Sequence, residues 1–285
     1  MGGDMMPGGY QKETITVIAK TYPECSKKYG CLVCTAGIND KGEWRRLYPI
    51  PWSLFWGRNA NPTAKGFQTF DVISLPIRRK FQDYRTESYY LNPHTIQDDL
   101  QVVAHVHGWN ERQEFLSSFV DPNLESLRRS KRSLGIIKPK DIQDFVQRDR
   151  NRLEPGEELT IEKIEQAQQG VLFDVESELV KQSRTPPQAL PWIGYRFTCE
   201  GPNCRGHKMM CIEWGIQNLY RRFSNDGSIG FQKVKDRAMN WMSTRDVYFV
   251  VGTTWRFESW MIIGVFYPPK GGARSESQVE NLRLL

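Results

Sequence analysis

Cys199, Cys204, His207 and Cys211 form a C-x4-C-x2-H-x3-C array within thirteen residues. Thiolates and an imidazole are the donor set that structural Zn²⁺ takes, four to a tetrahedron. Glu200-Gly201-Pro202-Asn203 is a turn sequence that brings the first two sulfurs together. Cys211 follows His207 by four residues on the next strand, so the two share a face but lie about 13 Å apart if the strand is extended. The spacing therefore predicts a core of Cys199, Cys204 and His207, completed by Cys211 if the strand kinks or by a residue from elsewhere. Packed thiols are the competing reading, since the array lacks a C-x2-C pair. Glu213 stands at a strand-to-helix junction. It either caps the helix, where the macrodipole favours a carboxylate, or acts with His207 in metal-dependent hydrolysis of nucleic acid. Carboxylate clusters of the D…E-x-K kind are not evident.

A second pattern interleaves aromatic and basic residues. Trp44 and Arg46 lie on one hairpin strand. Arg78 and Arg79 end another strand, followed by Lys80, Phe81 and Tyr84. Arg128, Arg129, Lys131 and Arg132 form a dense run, and Arg221 and Arg222 follow Tyr220 at a helix end. Phosphates take Lys or Arg, and unpaired bases take aromatic faces. The alternative is that the aromatics are core and the arginines solvated rims. That explains Trp44 well and the 128–132 run less well, because like charges repel. Trp255 and Arg256 belong to the same pattern.

Other polar motifs read as structural. Cys31 and Cys34 form C-L-V-C inside an apolar strand, facing opposite sides, without the helix N-terminus a redox pair needs. His105 and His107 share a strand face with no third ligand near in sequence, and are expected as exposed histidines. Phosphate-cradling and dinucleotide glycine motifs are absent, as is a G-x-S-x-G elbow.

The elements that must position these residues divide the chain. Residues 14–110 read as β: TITVIAKTYP, YGCLVCTAGI, EWRRLYPIPW after the turn NDKG, TFDVISLPIRR and LQVVAHVHGW. Five short strands without an intervening amphipathic helix predict a small barrel. Residues 111–185 are charged and partly helical, and are expected as a connector, in which SLGIIKPKDIQDFVQ reads as a short apolar strand followed by a Pro-initiated helix or strand. Residues 186–270 hold strands LPWIGYRFTCE, HKMMCIEWG, DVYFVVGTT and SWMIIGVFYPP with helices WGIQNLYRRF and FQKVKDRAMNWMST. A floppy leader, 1–13, and a polar tail, 271–285, complete the chain.

The 285 residues carry 39 basic and 33 acidic side chains, net +6, which permits an acidic partner without demanding one. No apolar run is long enough to span a bilayer, and the start lacks the charged and apolar regions of a secretion signal. The cytoplasm is the expected compartment, and there cysteines are thiols or metal ligands rather than disulfides.

Ser26, Lys27, Gly30, Cys34, Ala36, Gly37, Gly42, Trp44 and Arg46 follow a strand, turn, strand and hairpin in the order seen in paired OB-type (dual-OB or PUA-like) modules. The opening third of the chain resembles those modules of bacterial and archaeal proteins, and SLGIIKP and WMIIG suit the same layout. The resemblance implies nucleic-acid binding and carries over no catalytic residue. The resulting expectation is an α+β protein of two small β-barrel-like units joined by a charged, partly helical segment. Its expected role is a nucleic-acid-binding accessory or sensor protein, for DNA or RNA, with a structural zinc. Alternatives are the hydrolase using His207 and Glu213, and a scaffold binding protein partners in a larger assembly through its Trp-rich faces.

Overall fold

The computed structural model describes residues 9–22, 24–26, 30–51, 54, 66–81, 83–92, 95–148, 192–201, 204–223, 227–254 and 259–271. The N-terminal sheet holds β1 (Gln11–Lys20), β2 (Glu24–Ser26), β3 (Gly30–Asn39), β4 (Trp44–Pro51), β5 (Asp71–Arg79), β6 (Ser88–Leu91) and β7 (Gln101–His105). Five of these close into a barrel in the order β1-β3-β4-β6-β5 and back to β1. Its pairs are antiparallel except β4 with β6, which is parallel. The expected strands are present. The closing strand β6 adds to them, and β7 extends the free edge of β5.

Period-two patterning builds this barrel. Ile15 and Val17 of β1 and Ile73, Leu75 and Ile77 of β5 point inward, with Val33, Leu47, Ile50 and Leu91. The outer face of β1, β3 and β4 is apolar as well. Ile18, Ala19, Ala36, Ile38 and Trp44 pack there against Leu134, Ile136, Val250, Ile263 and Phe266 of the second unit. Contact is so close at Gly264 that a Cβ would stand 2.8 Å from that of Ala19.

That second unit starts inside the stretch expected as a connector. After α1 (Ile96–Asp99) and α2 (Trp109–Ser117) come β8 (Val120–Asp121), α3 (Leu124–Arg129), β9 (Leu134–Ile137) and β10 (Pro139–Arg148). The later elements are β11 (Trp192–Cys199), β12 (His207–Met210), α4 (Trp214–Phe223), α5 (Gly227–Thr244), β13 (Tyr248–Thr253) and β14 (Trp260–Phe266). They form a four-stranded sheet, β14-β13-β9-β8, and a three-stranded sheet, β10-β11-β12. Thus β9 and β10, read from sequence as parts of a connector, pair with β13 and β11. Among the described residues these sheets do not close into a second barrel. Phe145, Tyr195, Phe197, Phe249 and Ile262 fill the space between them beneath α4 and α5.

Polar tethers reinforce the junction of the two units. Arg46 of β4 donates to the carbonyl and hydroxyl oxygens of Ser133, and Glu87 accepts from the same residue's amide and hydroxyl, both at 2.8 Å. Arg85 donates to the Thr253 carbonyl at 3.0 Å, and the Tyr84 hydroxyl to that of Thr254 at 3.2 Å. No described helix is long and apolar enough to cross a membrane.

Candidate metal centre and nucleic-acid interface

Cys199 ends β11 and His207 begins β12, so the connection between these antiparallel strands carries the first part of the array. Ligand atoms of Cys199, Cys204 and His207 all lie within 4.8 Å of one another. The Cys204 Sγ is 3.3 Å from His207 Nε2 and accepts the Cys199 amide at 3.2 Å. A tetrahedral zinc with bonds of about 2.0–2.3 Å needs donor atoms roughly 3.3–3.8 Å apart, so the three residues fit the ion after a small contraction. Backbone amides supply the neighbouring hydrogen bonds, since the Leu124 amide at the start of α3 also bonds the Cys199 thiol. The Asn123 amide side chain fixes α3 to the turn by donating to the Glu200 carbonyl at 3.0 Å. Burial raises the Cys199 thiol to about 11 and lowers His207, with the Arg128 charge adding to the latter.

Cys211 stands apart from this group. Its amide donates to the Ile193 carbonyl at 2.8 Å, it bridges to Ile262 of β14, and its side chain is buried. The strand does not kink to bring it back, so it is a core residue rather than the fourth ligand. Glu213 caps α4: its carboxylate accepts the amides of Gly215 at 2.8 Å and Ile216 at 2.7 Å. Burial raises its pKa against those bonds. The capping role expected for it is present, and both oxygens are engaged by it.

The basic and aromatic residues split into two groups. Trp44 and Arg46 are each only 7% exposed, Trp44 in the core between the units and Arg46 on Ser133. Burial lowers the Arg46 guanidinium to about 10. Neither presents a face to a phosphate or a base, because the second unit covers this side of the barrel. Arg79 clamps a loop, donating to the carbonyls of Arg85 and Ser88 at 2.8 and 3.0 Å. Arg132 pairs with Asp121 at 2.7 Å.

Arg128 and Arg129 on α3 are 56% and 77% exposed at the side chain, each near Glu125. Lys131, Arg221 and Arg222 are exposed, the Arg221 guanidinium reaching the Tyr22 hydroxyl at 3.4 Å. Arg78 is exposed over the Tyr10 ring, 5.1 Å from its centroid. Trp255 and Arg256 lie outside the described residues.

The feature that residue types alone understated is the loop between β5 and β6. Phe81 is 85% exposed and Tyr84 is 54% exposed. Arg85 donates through Nε and Nη2 to Asp83, at 2.9 and 2.7 Å. Burial pushes the Asp83 carboxyl up, but these bonds and the Arg85 charge outweigh it and hold the group below its usual range. The signal was in the sequence Lys80-Phe81-Gln82-Asp83-Tyr84-Arg85, whose aromatics sit beside turn residues rather than in an alternating strand.

Of the histidine pair, His107 is exposed as expected, whereas His105 is half-buried. His105 Nδ1 lies 2.6 Å from the buried carboxylate of Asp71, and its Nε2 lies 2.9 Å from Arg112. Cys34 is half-buried on β3, and the Cys31 side chain lies outside the described residues.

Residues 122–284, more than half of the chain, match the domain of unknown function DUF8757. Residues 11–118 match a second domain of unknown function, DUF8758. The short gap between the two matches holds β8, where the barrel gives way to the second unit. No curated protein matches the chain.

Proposed function

We propose that this chain, which belongs to the DUF8757 family, is a nucleic-acid-binding accessory or sensor protein whose N-terminal barrel is of the OB type. The observation that carries this reading is the exposure of Phe81 and Tyr84 on the loop between β5 and β6, with the exposed Arg78 three residues before Phe81 in sequence. In barrel order that loop joins the fourth and fifth strands, a position from which open β-barrels bind oligonucleotides. Exposed aromatic faces stack unpaired bases whatever their identity, and nearby Arg neutralises the backbone. Single strands are therefore the ligand class, DNA and RNA both having the bases and phosphates required. Arg221 and Arg222 on α4, and Arg128, Arg129 and Lys131 around α3, are further exposed cations on the second unit, Arg221 standing by Tyr22 at the end of β1 opposite to this loop.

Cys199, Cys204 and His207 hold zinc in this proposal, and the ion locks the β11–β12 connection to α3. Its role is structural: it fixes the helix that carries Arg128 and Arg129. With three protein donors identified, a structural site of this kind takes its fourth donor from a further residue.

Fluorescence anisotropy with labelled single-stranded DNA, single-stranded RNA and duplex DNA tests the reading. Saturable binding of a single strand, tighter than that of duplex, is expected. Equal weak binding to all three would reduce it to charge attraction, and no binding would end it.

A further inference from the structure

A cleft of about 480 Å³ opens at the junction of the barrel and the second unit. Arg45 and Tyr89 line its barrel side, Thr86 its rim, and Phe119, Asp121 and Arg132 its far side. The volume lies in the range of small-molecule sites, which favour such junctions.

Its charge decides what class of ligand it takes. Both cations that line it are already matched. Arg45 donates to Glu13 through Nε at 2.7 Å and also pairs with Glu43, while Arg132 pairs with Asp121. Glu87 adds a further carboxylate to the lining. A phosphate therefore finds no surplus of positive charge here. What the cleft offers is a mixture of Arg N–H donors and carboxylate acceptors, the Thr86 hydroxyl donating to Glu87 at 3.3 Å, with Trp44, Tyr89 and Phe119 as its aromatic lining.

The lining is held in advance. The Asn39 side chain donates to Glu13 and Glu43 at 3.1 and 3.0 Å and accepts the Glu43 amide at 2.8 Å. The Arg45 guanidinium lies 4.5 Å from the centroid of the Tyr89 ring. Gly42, at φ +77°, brings the β3–β4 turn against Phe119, since a Cβ there would stand 3.5 Å from that ring. Fixed, paired polar groups beside aromatic rings suit a flat, uncharged, hydrogen-bonding ring.

We infer that this cleft binds one unstacked nucleobase, as a free nucleoside or as one residue of a bound strand. The β5–β6 loop joins the two sites: Phe81 and Tyr84 stand on it, and Thr86 and Glu87, its last residues, enter the cleft. The inference deepens the nucleic-acid reading and rests on it for the strand, while the cleft itself is argued from its own lining.

Calorimetric titration with adenosine, guanosine, cytidine and uridine, and with their 5′-monophosphates, tests it. Thr86→Trp and Ser118→Trp fill the cleft from exposed positions, and circular dichroism checks that both fold. The expected result is saturable binding of at least one nucleoside, matched by its monophosphate to within a few-fold and weakened at least tenfold in a folded Trp variant. No nucleoside binding, or binding that both folded variants retain, overturns the cleft. Oligonucleotide binding that persists in that case leaves the rim intact, whereas nucleoside binding without oligonucleotide binding keeps the cleft and removes the rim.

Discussion

Arg46 of the barrel donates through Nη2 to the carbonyl and hydroxyl oxygens of Ser133, at 3.0 and 3.2 Å, across the junction of the two halves of the chain. Glu87 binds the same serine and is one of the acidic charges that stabilise the buried guanidinium. Arg46→Ala removes the donor and leaves Glu87 without that counter-charge. Losing hydrogen bonds made by a charged group costs about 1.5–3 kcal/mol. Urea denaturation should show this loss, while nucleic-acid affinity measured on the folded variant stays within about twofold. Unchanged stability with weakened binding would return Arg46 to a phosphate-contacting role.

The metal centre gives a second expectation. Elemental analysis should find one zinc per chain, lost in the Cys199→Ser, Cys204→Ser double variant and retained in Cys211→Ser. Loss of zinc on Cys211→Ser, in a protein that remains folded, would restore Cys211 as a ligand. A metal-free native protein would leave Cys199, Cys204 and His207 as packed polar groups.

Much of the barrel was legible because Ile73, Leu75 and Ile77 alternate strictly on β5 and the Asn39–Gly42 turn marks a hairpin. β6 was not, since four residues carry no measurable period and the strand pairs in parallel with the distant β4. β10 reads equally as helix or strand because a bulge puts two residues instead of one between Ile142 and the next inward side chain, Phe145. In the metal group, sequence spacing separated Cys211 from the other three because an extended strand fixes distance. Trp44 and Arg46 were misread as surface because nothing local to β4 tells which face of a barrel another unit covers. That is settled by Leu134, Ile136 and Ser133, which lie some ninety residues away.

Lys20 supplies a pH expectation. Its ammonium is buried, donates to the Phe67 carbonyl at 2.6 Å and is lowered to about 7 by desolvation, which the Asp71 charge partly opposes. A depressed lysine means that the unfolded chain binds more protons than the folded one between about pH 7 and 10.5, so stability rises with pH across that window. The penalty is fully present below about pH 7 and amounts to at most about 5 kcal/mol. Lys20→Met should flatten this rise. Thermal melts of both proteins from neutral to alkaline pH check it, the slope rather than the offset being the readout. Parallel slopes would contradict it.

Glu213 is expected to act on the helix rather than on a substrate. Glu213→Ala removes the acceptor of the Gly215 and Ile216 amides and should cost about 1 kcal/mol. Denaturant titration reads this directly. A nuclease assay with added zinc on native and variant protein supplies the contrast, since turnover lost with Glu213 at unchanged stability would favour the hydrolytic alternative.

In the proposed function the β5–β6 loop of the barrel stacks bases. The most direct measurement is the affinity of a labelled single strand for the native protein, Phe81→Ala and the Phe81→Ala, Tyr84→Ala double variant, at about 50 and about 200 mM salt. A loss of about 1–3 kcal/mol per aromatic removed is expected, with the salt dependence unchanged because the cations remain. Variants that bind as tightly as the native chain, or native binding that ignores salt, would contradict it.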